Sequence, residues 1–286
     1  MRKNIALLTI ALIVLAGCKK KEPIQESEER YVIFKFKFDE SQARLDNLGN
    51  PSTIPANHGA QSPRFNKISA HYIELAPNQF TQVGNGKVLY HAPETTQGGS
   101  TAIDFSKAIV VSEGQTFLKI PISQIAKGNY DWLRVSLSYQ NYTIDYRASG
   151  FDLEGTIASF VGYNNYIGTY KINQQNVTIN ANKLQGYWGF ETLGNTYDGQ
   201  APGTTVPNPI AGTSPIPAGS CVVTGQFSPA LSITGNETKD IVITISLSTN
   251  NSFEWYDANQ NGIYEPLDGD TVVDMGIRGL IPILTP

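Results

Sequence analysis

The stretch with the most readable chemistry is Asp257-Ala258-Asn259-Gln260-Asn261-Gly262-Ile263. Side-chain oxygens fall at positions 1, 3 and 5 of a loop, Gly262 at position 6 permits a sharp turn, and the Ile263 carbonyl falls at position 7. Asp268 occupies position 12, where such a loop needs a closing carboxylate; Glu265 at position 9 and Asp270 at position 14 are the alternatives. Ca²⁺ takes six to eight hard oxygens, and this loop supplies them without His or Cys. Phe253–Tyr256 before it and Thr271–Val273 after it favour strands, so the expectation is a structural calcium ion pinning a hairpin loop. The competing interpretation is an Asn-Gly turn in a metal-free hairpin, favoured by the low charge of Asn259 and Asn261 and by Asp instead of Glu at position 12.

Other reactive residue types are sparse. The three histidines, His58, His71 and His91, show no metal-ligand spacing and read as satisfied loop or strand-edge residues. Asp152 and Glu154 would suit a glycosidase pair, yet spacing along a chain does not set the separation of two carboxyl groups. No G-x-S-x-G, H-E-x-x-H, P-loop or G-x-G-x-x-G occurs. The expectation is a protein that is not an enzyme, with a glycan-active enzyme as the remote alternative. Cys221, in Ser220-Cys221-Val222-Val223, reads as a small buried hydrophobe.

The first residues read as a processing signal. Arg2 and Lys3 precede the apolar run Ile5–Ala16, too short for a bilayer span of roughly 20 residues. The run ends in Leu15-Ala16-Gly17-Cys18, which resembles a bacterial lipobox. That resemblance implies acylation of Cys18, removal of residues 1–17 and a permanent hold on a membrane, since each buried CH₂ contributes about 0.8 kcal/mol. Lys19, and not Asp, follows the cysteine, which under the bacterial sorting rule implies the outer membrane, on its periplasmic face or at the cell surface. The charged run over 18–30 resembles the tethers of Bacteroidota-type surface lipoproteins. With Cys18 acylated, Cys221 has no disulfide partner.

The elements that must position these residues are strands. The chain is 40% hydrophobic and 16% charged, so it can build a core, and Gly 26, Pro 16 and Tyr 14 against Met 2 argue for turns and aromatic-rich strands. A net charge of −4 provides no basic footprint, so no nucleic-acid partner is expected. Period-two alternation marks Val32–Phe38, Ile68–Leu75, Leu133–Ser138 and, most clearly, Ile241–Ser248; Phe117–Ile122 reads as a strand in which Pro121 marks a sheet edge or a strand end. Helical signal is confined to a short turn over 123–127. The predicted fold is all-β, an antiparallel β-sandwich with long loops over 31–286, with two sub-domains meeting near 150 as the variant. Residues 191–219, rich in Pro, Gly and Thr, read as one long loop beside Tyr187, Trp188 and Phe190, which offer a candidate ligand platform or simply core.

Two further resemblances bear on function. The 257–268 loop is similar to dockerin-type and thrombospondin-type calcium repeats. The strand Tyr31–Asp39, the strand entry Phe65-Asn66-Lys67-Ile68-Ser69-Ala70, the turn Gly128-Asn129-Tyr130 and the mid-chain Trp188 together resemble the copper-binding proteins associated with methanobactin operons. That family implies copper held near a modified tryptophan; here no Met lies near Trp188 and no His follows His91, so its ligand set does not carry over. The leading expectation is a lipid-anchored envelope protein with a binding or interaction role toward a protein or glycan ligand, stabilised by calcium. A copper-handling periplasmic protein is the alternative.

Overall fold

The computed structural model describes residues 29–46, 48–203 and 210–285. Cys18 and the signal and tether readings up to residue 28 lie outside them. Strands occur in the order β1 (Tyr31–Asp39), β2 (His58–Gln61), β3 (Arg64–Ala76), β4 (Lys87–His91), β5 (Glu94–Thr95), β6 (Ala102–Asp104), β7 (Thr116–Pro121), β8 (Gly128–Ala148) and β9 (Phe151–Phe160). The second half continues with β10 (Asn164–Lys171), β11 (Asn176–Leu184), β12 (Tyr187–Thr192), β13 (Asn195–Gln200), β14 (Cys221–Ile233), β15 (Ile241–Ser248), β16 (Phe253–Tyr256), β17 (Thr271–Met275) and β18 (Leu280–Thr285). The protein is all-β, and its sheets pack as sandwiches.

A seven-stranded sheet, β13-β12-β9-β8-β3-β4 with β14 also on β8, forms the middle layer. β3 runs along one edge of the 21-residue β8, while β14 and β9 share the other edge end to end, β14 on 128–137 and β9 on 139–148. One face packs on the sheet β18-β15-β1-β7, enclosing Val32, Phe34, Phe36, Val135, Leu137, Ile243, Ile245 and Leu247. Alternation produces this layer directly: Val32, Phe34 and Phe36 are fully buried, with half-buried Lys35 and Lys37 between and after the last two. Farther along the same face, Tyr142, Ile144 and Ile157 meet Phe253 and Trp255 of the small sheet β17-β16-β2. The opposite face carries Tyr139, Phe160 and Tyr187 against Ile167 and Tyr170 of the sheet β11-β10-β6-β5.

Several expectations meet the structure here. Residue 150 is a hairpin tip, Gly150 at φ 81°, between strands paired from 139 to 160. The 123–127 turn shrinks to one 3₁₀ turn at Ile122–Gln124. The long loop 191–219 is corrected in its first third: β12 and β13 form a tight hairpin through Leu193 (φ 50°) and Gly194 (φ 77°). Both turn residues have positive φ, as a two-residue turn matching strand twist requires. Glu191, expected to open the loop, is buried and accepts the backbone N–H groups of Asn173, Gln174 and Gln175, closing the β10–β11 turn.

Candidate metal centre

The calcium-type loop closes on itself. Asp257 is buried, and its carboxylate accepts the Gly262 N–H at 2.7 Å and the Asn261 N–H at 3.3 Å. Asn259 Oδ1 accepts the Asn261 N–H at 3.1 Å, and Asn261 Oδ1 the Ile263 N–H at 2.8 Å. Both Asn side-chain amides donate to Glu265 Oε2, at 2.9 and 2.7 Å, and hold its carboxyl below the usual range. Asp270 is buried and accepts the N–H groups of Ala258 and Glu265. The carboxylates that turn inward are therefore Asp257, Glu265 and Asp270. Asp268 is not among them: its side chain is exposed, because its N–H bonds back to the Glu265 carbonyl at 2.9 Å and the chain turns there.

The aromatic platform is also corrected. Tyr187 is 1% exposed inside the core that holds Phe160 and Tyr170. Trp188 and Phe190, on the alternate face of β12, are half-buried against Tyr142, Ile144 and Trp255. Period-two alternation sends these three side chains to two different layers, so they share no surface. Asp152 and Glu154 sit on the exposed side of β9, paired with Arg147 at 2.6 Å and Arg64 at 2.7 Å. Cys221 is a free, half-buried thiol that burial pushes up to about 12.

The histidines are where the structure departs most from the sequence reading. β3 bonds to β8 with two irregularities close together, and His71 is the extra residue between Ala70↔Leu137 and Tyr72↔Ser136. A bulge of this kind re-aims a side chain. On the other edge of β3, Tyr72 pairs with His91, and the two rings stack at 4.4 Å and 13°. The Ala92 N–H bonds to the His71 carbonyl at 2.8 Å, which fixes the turn that delivers Glu94. Glu94 Oε1 then lies 3.0 Å from His71 Nε2 and 3.4 Å from His91 Nε2. Tyr163, from the β9–β10 turn, donates its hydroxyl to the same oxygen at 3.1 Å and stacks on His71 at 5.3 Å.

His71, His91 and Glu94 offer ligand atoms all within 4.8 Å of one another. An ion bound at about 2.0–2.2 Å to each would hold its ligands at separations of this order. His71 is fully buried, and its Nδ1 has no hydrogen-bond partner among the described residues. Burial lowers the His71 pKa, so the imidazole stays neutral with a lone pair to give. Glu94 is held at about 2, first by its bond to His71, and remains a carboxylate. Tyr72 and Tyr163, both raised mainly by burial, stay protonated phenols around it. Two imidazoles and one carboxylate in a half-enclosed aromatic setting suit a transition-metal ion better than Ca²⁺. Trp188 packs in a different layer, so the tryptophan-centred arrangement of the copper-binding family is not reproduced around this cluster.

Set against known proteins, the chain matches no family model, no curated protein and no solved structure.

Proposed function

We propose that this chain is a lipid-anchored bacterial envelope protein whose β-sandwich binds a transition-metal ion through His71, His91 and Glu94. The observation that carries the reading is the bulge at His71. A strand residue that should simply alternate is instead turned toward a cross-strand histidine and a carboxylate. Copper(II) and zinc(II) are the ions that such a donor set favours. Metal analysis after loading with either ion and desalting should return one equivalent per chain. A protein that retains less than a tenth of an equivalent of both would defeat the reading.

Anchoring rests on Cys18. The wild-type product should incorporate labelled palmitate and sediment with membranes, and Cys18→Ala should do neither. A Cys18→Ala form that still partitions with membranes would overturn it.

A second, structural ion is supported by the 257–270 loop, whose backbone N–H groups already fix the side chains that calcium would use. Binding there would need the Asn259 and Asn261 oxygens, which accept backbone N–H groups, to serve the ion as well, in place of the amide N–H groups that face Glu265. Extracellular calcium modules bind at about 10⁻⁴–10⁻³ M, so 10 mM calcium should add roughly 1.4–2.7 kcal/mol of stability. The melting temperature should therefore rise in calcium and return in chelator, and Asp257→Asn should abolish the rise. Equal melting with and without calcium would leave the loop a metal-free turn.

A further inference from the structure

The junction of β14 and β9 on β8 leaves a second feature, on the sheet face opposite His71. β14 stops pairing at Cys221↔Leu137, and β9 begins at Phe160↔Tyr139. Ser138 lies between them, an extra residue on β8 relative to β3, and its carbonyl takes the N–H groups of both Val161 and Gly162. The extra residue breaks the alternation, so Leu137 and Gln140, three apart, line one cleft. Its volume is about 640 Å³, within the roughly 300–1,000 Å³ of small-molecule sites.

The cleft has the parts of a built site. Its walls include Leu137, Val161, Cys221, Val223, Met275 and Ile277. Of the charged groups on it, Asp274 and Arg278 pair with each other at 2.9 Å, and the half-buried Asp46 carboxylate accepts the Leu48 and Asn50 N–H groups and the Asn50 amide. Leu48 and Val273 sit at its edge, 57% and 51% exposed. Gln140 is 1% exposed, and its Nε2 donates to the Met275 carbonyl, which also accepts the Tyr142 hydroxyl at 3.0 Å. A carbonyl only accepts, so the amide cannot be reversed. That leaves Gln140 Oε1 as a buried acceptor with no partner among the described residues.

We propose that this cleft binds a neutral, largely apolar small molecule carrying one N–H or O–H group, which donates to Gln140 Oε1. The largely apolar walls and the Asp274–Arg278 pairing favour a neutral ligand, and the orphaned acceptor selects a donor. N-phenyl-1-naphthylamine has this chemistry and fluoresces on leaving water. Titrated into the full chain carrying Cys18→Ser, so that no acyl chain competes, it should give saturable 1:1 enhancement. 1-Benzylnaphthalene, in which a methylene replaces the amine, should displace it with an affinity about tenfold weaker, the order expected for one buried acceptor left unpaired. Cys221→Phe, which fills the cleft, should abolish the signal, and Cys221→Ser should retain it. Non-saturable enhancement would overturn the site, as would equal affinity of the two probes or enhancement that survives in a folded Cys221→Phe variant. The probe comparison uses no cleft substitution and stands even if Cys221→Phe does not fold.

Discussion

Replacing His71 by alanine should abolish stoichiometric copper(II) or zinc(II) binding. A ligand set of two imidazoles and a carboxylate loses its most buried member, and the remaining pair, His91 and Glu94, is partly solvent-exposed. Loss of a ligand should weaken binding by more than the 10–100-fold typical of groups that merely orient ligands. Calorimetric titration reads this directly. Glu94→Gln should weaken binding strongly while keeping side-chain size. Tyr163→Phe, which removes only the hydroxyl donated to Glu94, should fall in the 10–100-fold range and so separates an orienting group from a ligand. Neither His71 nor Glu94 needs to lose a proton at pH 7: burial keeps the imidazole neutral, and Glu94 is ionised far below that pH. These two groups therefore impose no gain in affinity as pH rises from 7 to 8. His71→Ala protein that binds either ion as tightly as wild type would remove the site.

The second large effect concerns Trp255. Its ring is 1% exposed, lies 6.0 Å from Phe253 and 5.5 Å from Tyr264, and rests on Gly59 of β2. A Cβ at Gly59 would come within 2.4 Å of the indole, so glycine is what lets the ring lie flat there. Trp255→Ala should cost about 3–5 kcal/mol, the range for emptying a large aromatic site. In thermal melts that is a drop of roughly 10 °C for a protein of this size. Trp255→Phe should cost less, because it also removes an indole N–H that is buried without a partner among the described residues. Gly59→Ala should destabilise through the clash from the other side. A Trp255→Ala protein that unfolds within 1 kcal/mol of wild type in urea would show that this small sheet is not anchored by the indole.

Much of the framework was legible in the chain because it follows from period two. Phe34 and Phe36, and Ile243, Ile245 and Leu247, alternate with more polar residues and form the neighbouring strands β1 and β15. Their pairing was not legible. β1 runs parallel to β15, residues about 200 positions apart, and no local pattern encodes such a partner. The β12–β13 hairpin was hidden because its turn is Leu193-Gly194, where Asn-Gly would have signalled it. The calcium-type loop was visible through its Asp, Asn and Gly spacing, but the closing position was not. A position-12 carboxylate belongs to a loop that continues smoothly, and here the chain turns after Glu265. The histidine cluster left only a faint trace, His91 and Glu94 three residues apart, one strand on from His71. Its assembly depends on one bulged residue, and a bulge disturbs the very alternation by which strands are recognised.

The place of β1 has a consequence for how the protein matures. β1 begins at Tyr31, shortly after the proposed anchor, yet it sits between β7 and β15, and β18 completes the same sheet beyond β15. A chain made from its N-terminus therefore leaves Val32, Phe34 and Phe36 without the β15 and β18 part of their sheet until residues 241–285 have been made as well. Through that interval the strand edge is open to pairing with other chains. Such long-range closure is slow, so the unfinished sheet stays open for longer than one built from neighbouring strands.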